Sequence, residues 1–87
     1  MFNKQMKTRF LSYCWAVRKA DNGDDISLYF SLANVYIMAL LDAEVITQDE
    51  YSNLMFLILD AHERSLRLVM DKIMKEYEEN QEERIID

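Results

Sequence analysis

What most limits the fold of this chain is something it lacks: there is no proline and a single glycine, Gly23, in 87 residues. Strands and hairpins need turn residues at short intervals, so a sheet-based fold has almost no punctuation to build on. Long helices need none, and the expected class is all-α. The length suits one domain, since domains usually run to roughly 100–200 residues. Hydrophobic residues make up 51% and charged residues 30%, a composition that can pack a core and does not match a disordered chain. A chain this short buries only about 60–65% of the surface its unfolded form exposes, which leaves apolar surface for a second copy or another protein to cover.

Helical periodicity divides the chain into three. Over residues 2–20, Phe2, Met6, Phe10, Tyr13, Cys14 and Val17 fall on one face, and Lys4, Lys7, Leu11, Trp15 and Arg18 form a stripe on the other side. Asp21-Asn22-Gly23-Asp24 ends this helix, with Asn22 or Gly23 suited to a left-handed C-terminus and Asp24 or Asp25 suited to cap the next helix. The second helix, about Ile26 to Ala43, has a thin polar stripe of Ser27, Ser31, Asn34 and Asp42, interrupted by Met38. A helix apolar on most of its circumference is expected between the other two or across a dimer interface.

The third helix has a clear start, because Thr47-Gln48-Asp49-Glu50 is a capping box. From there Tyr51, Met55, Ile58, His62, Leu66, Val69, Ile73 and Tyr77 continue one stripe. Acid-before-base pairs at i, i+4, Asp60/Arg64, Glu63/Arg67 and Asp71/Lys75, support it by roughly 0.2–0.5 kcal/mol each. A helix reaching about residue 80 is roughly 50 Å long, against roughly 27 Å for each of the others, so it must overhang them. The overhang carries Val69, Met70, Ile73, Met74 and Tyr77, and an antiparallel second copy is the simplest cover. The expected fold is a three-helix bundle with a long third helix that dimerises. The interface candidates are Met55, Ile58, His62, Leu66, Val69, Met70, Ile73, Met74 and Tyr77. A bend near Ser65 would instead allow a compact monomer. Residues 1–77 form one helical domain, and 78–87 an acidic tail expected to fray.

Charge is segregated along the chain. Residues 1–20 carry +5, residues 21–60 carry −8, residues 61–75 carry +2 and residues 76–87 carry −5. The basic first segment and acidic middle are expected to attract each other. The single cysteine, Cys14, allows neither an intrachain disulfide nor a paired-cysteine metal motif, which points to a cytoplasmic protein. The N-terminal segment lacks the uninterrupted apolar stretch and small-residue cleavage site of a signal peptide, and no run approaches the 18 or more apolar residues of a membrane span.

Catalytic and cofactor signatures are not legible. His62 is the only histidine, and Leu66 stands where a zinc-binding H-E-x-x-H motif needs its second, so His62 reads as packed on an apolar face. Cys14 reads as a small buried hydrophobe with no base beside it. Asp24-Asp25 and Asp49-Glu50 sit where caps and first-turn acids belong. No catalytic, cofactor or metal residue is expected, and an enzyme is not. The junction Met38 to Tyr51 could be arranged as a helix-turn-helix, but its second helix opens on Asp49 and Glu50, which phosphates repel.

The stretch Leu41 to Leu54 resembles the short leucine, turn, isoleucine-threonine, acid-tyrosine segments of SHOCT-type oligomerisation modules. It covers about 14 of the 87 residues and has Glu44 where those modules carry a turn glycine, so it assigns the chain to no family. The best surface candidate is the stripe of Lys4, Lys7, Leu11, Trp15 and Arg18, in which cations flank an aromatic. The expected role is a small adaptor or regulator that binds a protein partner and forms a homodimer. The runner-up is an acidic inhibitor that imitates nucleic acid, of the kind found in phages and mobile elements. Weak nucleic-acid binding through the basic first helix is a third, less favoured reading.

Overall fold

The computed structural model describes residues 2–86, with side chains from Phe2 to Gln81. Three helices make an all-α fold with no strand among the described residues: α1 (Lys4–Lys19), α2 (Gly23–Asp42) and α3 (Gln48–Ile86). Each of the three packs against the other two. The molecule measures 63 × 19 × 16 Å, an elongation due to the 39-residue α3. That helix is continuous through Ser65, so the bend that would fold it back is absent. It also carries on through 78–86, where fraying was expected; Asp87 lies outside the described residues.

The helix starts follow from short polar side chains. Asn3 caps α1, its Oδ1 accepting from the Met6 N–H at 3.0 Å. At α3, Thr47 and Glu50 exchange bonds as the capping box requires: Thr47 N–H donates to Glu50 Oε1 at 2.9 Å, and Glu50 N–H to Thr47 Oγ1 at 3.1 Å. The α1–α2 turn differs from expectation. Asn22 caps α2 by accepting from the Asp25 N–H at 2.8 Å, and α1 ends on Ala20 in an extended conformation. No left-handed residue is needed there, and Gly23 begins α2 with an ordinary negative φ.

The left-handed residue lies at the other turn. Glu44 has φ 58°, the Glu44 N–H donates to Leu41 O at 3.0 Å, and the Val45 N–H donates to Leu40 O at 2.9 Å. These are the two bonds of a Schellman motif, whose left-handed position normally belongs to glycine. A side chain there costs about 1–2 kcal/mol, partly offset in glycine by its freer unfolded chain. Glu44→Gly is therefore expected to stabilise the fold by about 0.5–1 kcal/mol, read as a higher urea midpoint at unchanged slope. An unchanged or lower midpoint would show that the turn is not strained.

The core is a single cluster drawn from all three helices: Phe10, Cys14 and Val17 of α1, Ile26, Ala33 and Ile37 of α2, Ile58 and Ala61 of α3. Tyr13 and Tyr36 meet edge to face at 5.7 Å across α1 and α2. One polar side chain enters this interior. Ser65, 1% exposed, donates its hydroxyl to the carbonyl of Val17. Val17 lies in the last turn of α1, where carbonyls have no full set of helical partners, so the bond ties the end of α1 to the middle of α3. Asn34 Oδ1 is buried with no hydrogen-bond partner, and nothing in the fold explains it.

The segments of opposite charge do not pair. The salt bridges among the described residues lie within α3, Arg64–Asp60 at 3.1 Å and Arg67–Glu63 at 2.8 Å, and none joins α1 to the acidic middle. Asp21, Asp24 and Asp25 collect at the α1–α2 turn, where Lys19 shares a depression with Asp21 and Asp25 without bridging to either, and Asp42, Glu44, Asp49 and Glu50 collect at the α2–α3 turn. The length of α2, about 30 Å, separates the two groups. By length and composition α2 also reaches the range of a membrane span, with mean hydropathy 1.2, although no single apolar run had suggested it. Only 22% of that window is buried in the bundle.

Candidate protein-binding surfaces

The expected α1 stripe does not form one site. Leu11, Trp15 and Arg18 line a groove whose far wall is Leu57 of α3. Lys4 lines a different depression, with Tyr36 of α2, and Lys7 holds its ammonium 5.8 Å from the Phe2 ring centroid. The cation nearest the indole is Lys19, 4.9 Å above the Trp15 ring. Sequence reading missed Lys19, although its spacing four residues after Trp15 on one helix is the signal for such a contact. Leu57 could not be found that way, because its place beside Trp15 depends on how α1 and α3 pack.

The nine α3 candidates divide into two groups. Ile58 is fully buried inside the chain, and Met55, Leu66 and Val69 pack against the same core. His62 stacks on Phe30 of α2, with ring centroids 4.4 Å apart. The expectation that these five face a second copy has to be corrected, because α1 and α2 use the same stripe first. Met70, Ile73, Met74 and Tyr77 remain, each more than half exposed. Ile73 lies level with the α1–α2 turn, so the bundle ends about there and α3 continues beyond it. Phe56, at 77% the most exposed large apolar side chain, and Leu59 were not singled out from the sequence. On α2 the core takes Ile26, Ala33 and Ile37 and leaves Leu28, Leu32, Val35 and Met38 outside.

No cluster of three His, Cys, Asp or Glu side chains comes together among the described residues to hold a metal ion. Cys14 lies in the core, and burial pushes its thiol pKa up; nearby Arg18 opposes the shift but does not reverse it. A buried thiol with a raised pKa presents little thiolate. Alkylation of Cys14 is expected to be slow in the folded protein and to reach the rate of a free thiol only in denaturant. Equal rates in both conditions would mean that the α1 packing described above is wrong.

Comparison with protein-family models, with curated proteins and with solved structures gives no match. The fold and its surfaces define the class: an all-α three-helix protein whose third helix outruns its bundle and carries apolar side chains past its end.

Proposed function

We propose that this chain is a small non-enzymatic adaptor or regulator that acts by binding another protein and that pairs with a second copy of itself through α3. The observation that carries the reading is the exposure of Met70, Ile73, Met74 and Tyr77 on one helix, at and beyond the end of the bundle. Soluble monomers rarely leave such a contiguous apolar surface bare, and larger bare patches mark interaction sites. The Leu11, Trp15 and Leu57 groove is a second surface, with Arg18 in its lining and Lys19 over the Trp15 ring. Tryptophan and arginine are the side chains most often found at the centres of protein interfaces.

The nucleic-acid-mimic reading needs one continuous strip of acids, and the two acidic turns at opposite ends of α2 do not supply it. Direct nucleic-acid binding draws some support from the α1 cations, which have no carboxylate partner among the described residues. A photoreactive residue in place of Leu11, in cells that make the protein, separates these readings. Adducts to a protein of another sequence are expected. Adducts to nucleic acid, or no adduct to any other molecule, would contradict the adaptor role.

A further inference from the structure

The groove between α1 and α3 has apolar walls and charge of one sign. Leu11 and Trp15, four residues apart on α1, stand across from Leu57 of α3, and Arg18 continues the α1 wall. Each of the three apolar side chains is more than half exposed, so the groove is shallow. A small molecule, which needs most of its surface covered, finds too little depth there. No acid lines the groove, and residues 1–20 contain none. Among the described residues Arg18 and Lys19 make no salt bridge, and Lys19 holds its ammonium 4.9 Å from the Trp15 ring centroid. Lys19 also lies beside Asp21 and Asp25, so Arg18 is the cation that gives the groove its charge. Across from it on α3, Asp60 follows Leu57 by three residues but is already held by Arg64 at 3.1 Å.

We propose that this groove takes an acidic amphipathic helix of a partner protein, with apolar side chains on successive turns seated against Leu11, Trp15 and Leu57 and a carboxylate at Arg18. The proposal rests on the adaptor reading above and names the chemistry of the partner.

Charge sets the sign of the occupant. An arginine without a counter-ion beside an apolar surface offers a carboxylate two parallel hydrogen bonds, and a basic segment would meet repulsion from Arg18 and Lys19 together. The spacing of the wall sets its form. Leu11 and Trp15 make a ridge at i, i+4, and a second helix packs its own ridge of that pitch into the furrow beside one like it, which is how amphipathic helices dock. The make-up of the wall favours protein over nucleic acid. Single strands bind where several aromatic rings stack successive bases, whereas here one indole stands between two leucines. Aliphatic walls gain most by covering aliphatic or aromatic side chains.

The test uses the one tryptophan as its reporter, because an occupant of the groove covers Trp15. Random peptides of about 15 residues, roughly four turns of helix, are displayed on phage and selected against the whole folded chain. The recovered peptides, once synthesised, are expected to combine large apolar residues at steps of three or four with an excess of Asp and Glu, and to shift Trp15 emission to shorter wavelength. Arg18→Glu is expected to weaken them about tenfold, as an attraction becomes a repulsion, and a peptide with lysine in place of the matching acid should recover the loss. Leu57→Glu, on the opposite wall, is expected to weaken them at least as much. Arg18 and Leu57 are exposed, so circular dichroism should show the helices kept in both variants. Peptides that are basic or uncharged, that leave Trp15 emission unchanged, or that bind Arg18→Glu as well as the parent would overturn the inference and leave the adaptor reading standing. An empty selection would overturn it too. A peptide of residues 70–86 of this chain that binds the groove as tightly as the selected ones would overturn it in favour of a second copy. A mixed-sequence DNA oligonucleotide that does so would overturn both the inference and the adaptor reading.

Discussion

Phe10→Ala is expected to unfold much of the protein, whereas Leu11→Ala, one residue along, leaves its stability nearly unchanged. Phe10 is 1% exposed and sits in the cluster where all three helices meet; Leu11, about 100° further round α1, is 57% exposed. Removing a buried phenylalanine costs about 3–5 kcal/mol, from lost transfer energy and from the cavity left behind. Single domains have about 5–15 kcal/mol in all, with small ones near the lower end, so the loss is comparable to the whole. At about 4–8 °C per kcal/mol for a domain of this size, the melting temperature should fall by at least about 12 °C. Leu11→Ala removes little buried area and should stay within about 0.5 kcal/mol of the parent. Thermal unfolding followed by circular dichroism checks both, and equal losses from the two variants would mean that the α1 faces are assigned the wrong way round.

Ile73→Asp is expected to have the opposite signature: little change in the fold of one chain and a large change in association. Ile73 is 57% exposed in the single chain, so an aspartate there meets water and costs the bundle little. In a dimer paired through the exposed face of α3 the same change removes an apolar contact and places a charge in the interface, and symmetry does so twice. Two lost side-chain burials amount to about 3–6 kcal/mol, which weakens association by at least about a hundredfold. Sedimentation of the variant should show a single chain with its helical signal largely kept. A variant as large as the parent would place the contact elsewhere, with the apolar back of α2 as the next candidate.

The helical class was legible because Gly and Pro are nearly missing, and the start of α3 because Thr47 and Glu50 form a complete local signal. The α1–α2 turn was misread. Asn22 and Gly23 suit a left-handed position as well as an N-cap, and the choice depends on where the chain must turn to pack α2 against α1. The left-handed residue fell instead on Glu44, a residue type that does not favour that conformation; the strain is held by the Leu40 and Leu41 carbonyls and by the capping box just beyond. Whether α3 bends near Ser65 was open from the sequence; its hydroxyl is a fastening between helices, legible only once Val17 is known to lie opposite.

The dimer candidates failed in part for a related reason. A single helical stripe was assigned to a second copy, although α1 and α2 of the same chain compete for it at far higher effective concentration and take Met55, Ile58, His62, Leu66 and Val69. What remains for a partner is the neighbouring face, where Phe56 and Leu59 lie. Periodicity can find an apolar stripe but does not say which of two stripes is used first.

Solution mass by light scattering across a dilution series tests most directly whether the outer face of α3 is an interface. A mass near twice 10.4 kDa, falling toward one chain only at high dilution, is the expected result. A mass of one chain at every concentration would contradict the proposed pairing and leave Met70, Ile73, Met74 and Tyr77 bare in solution.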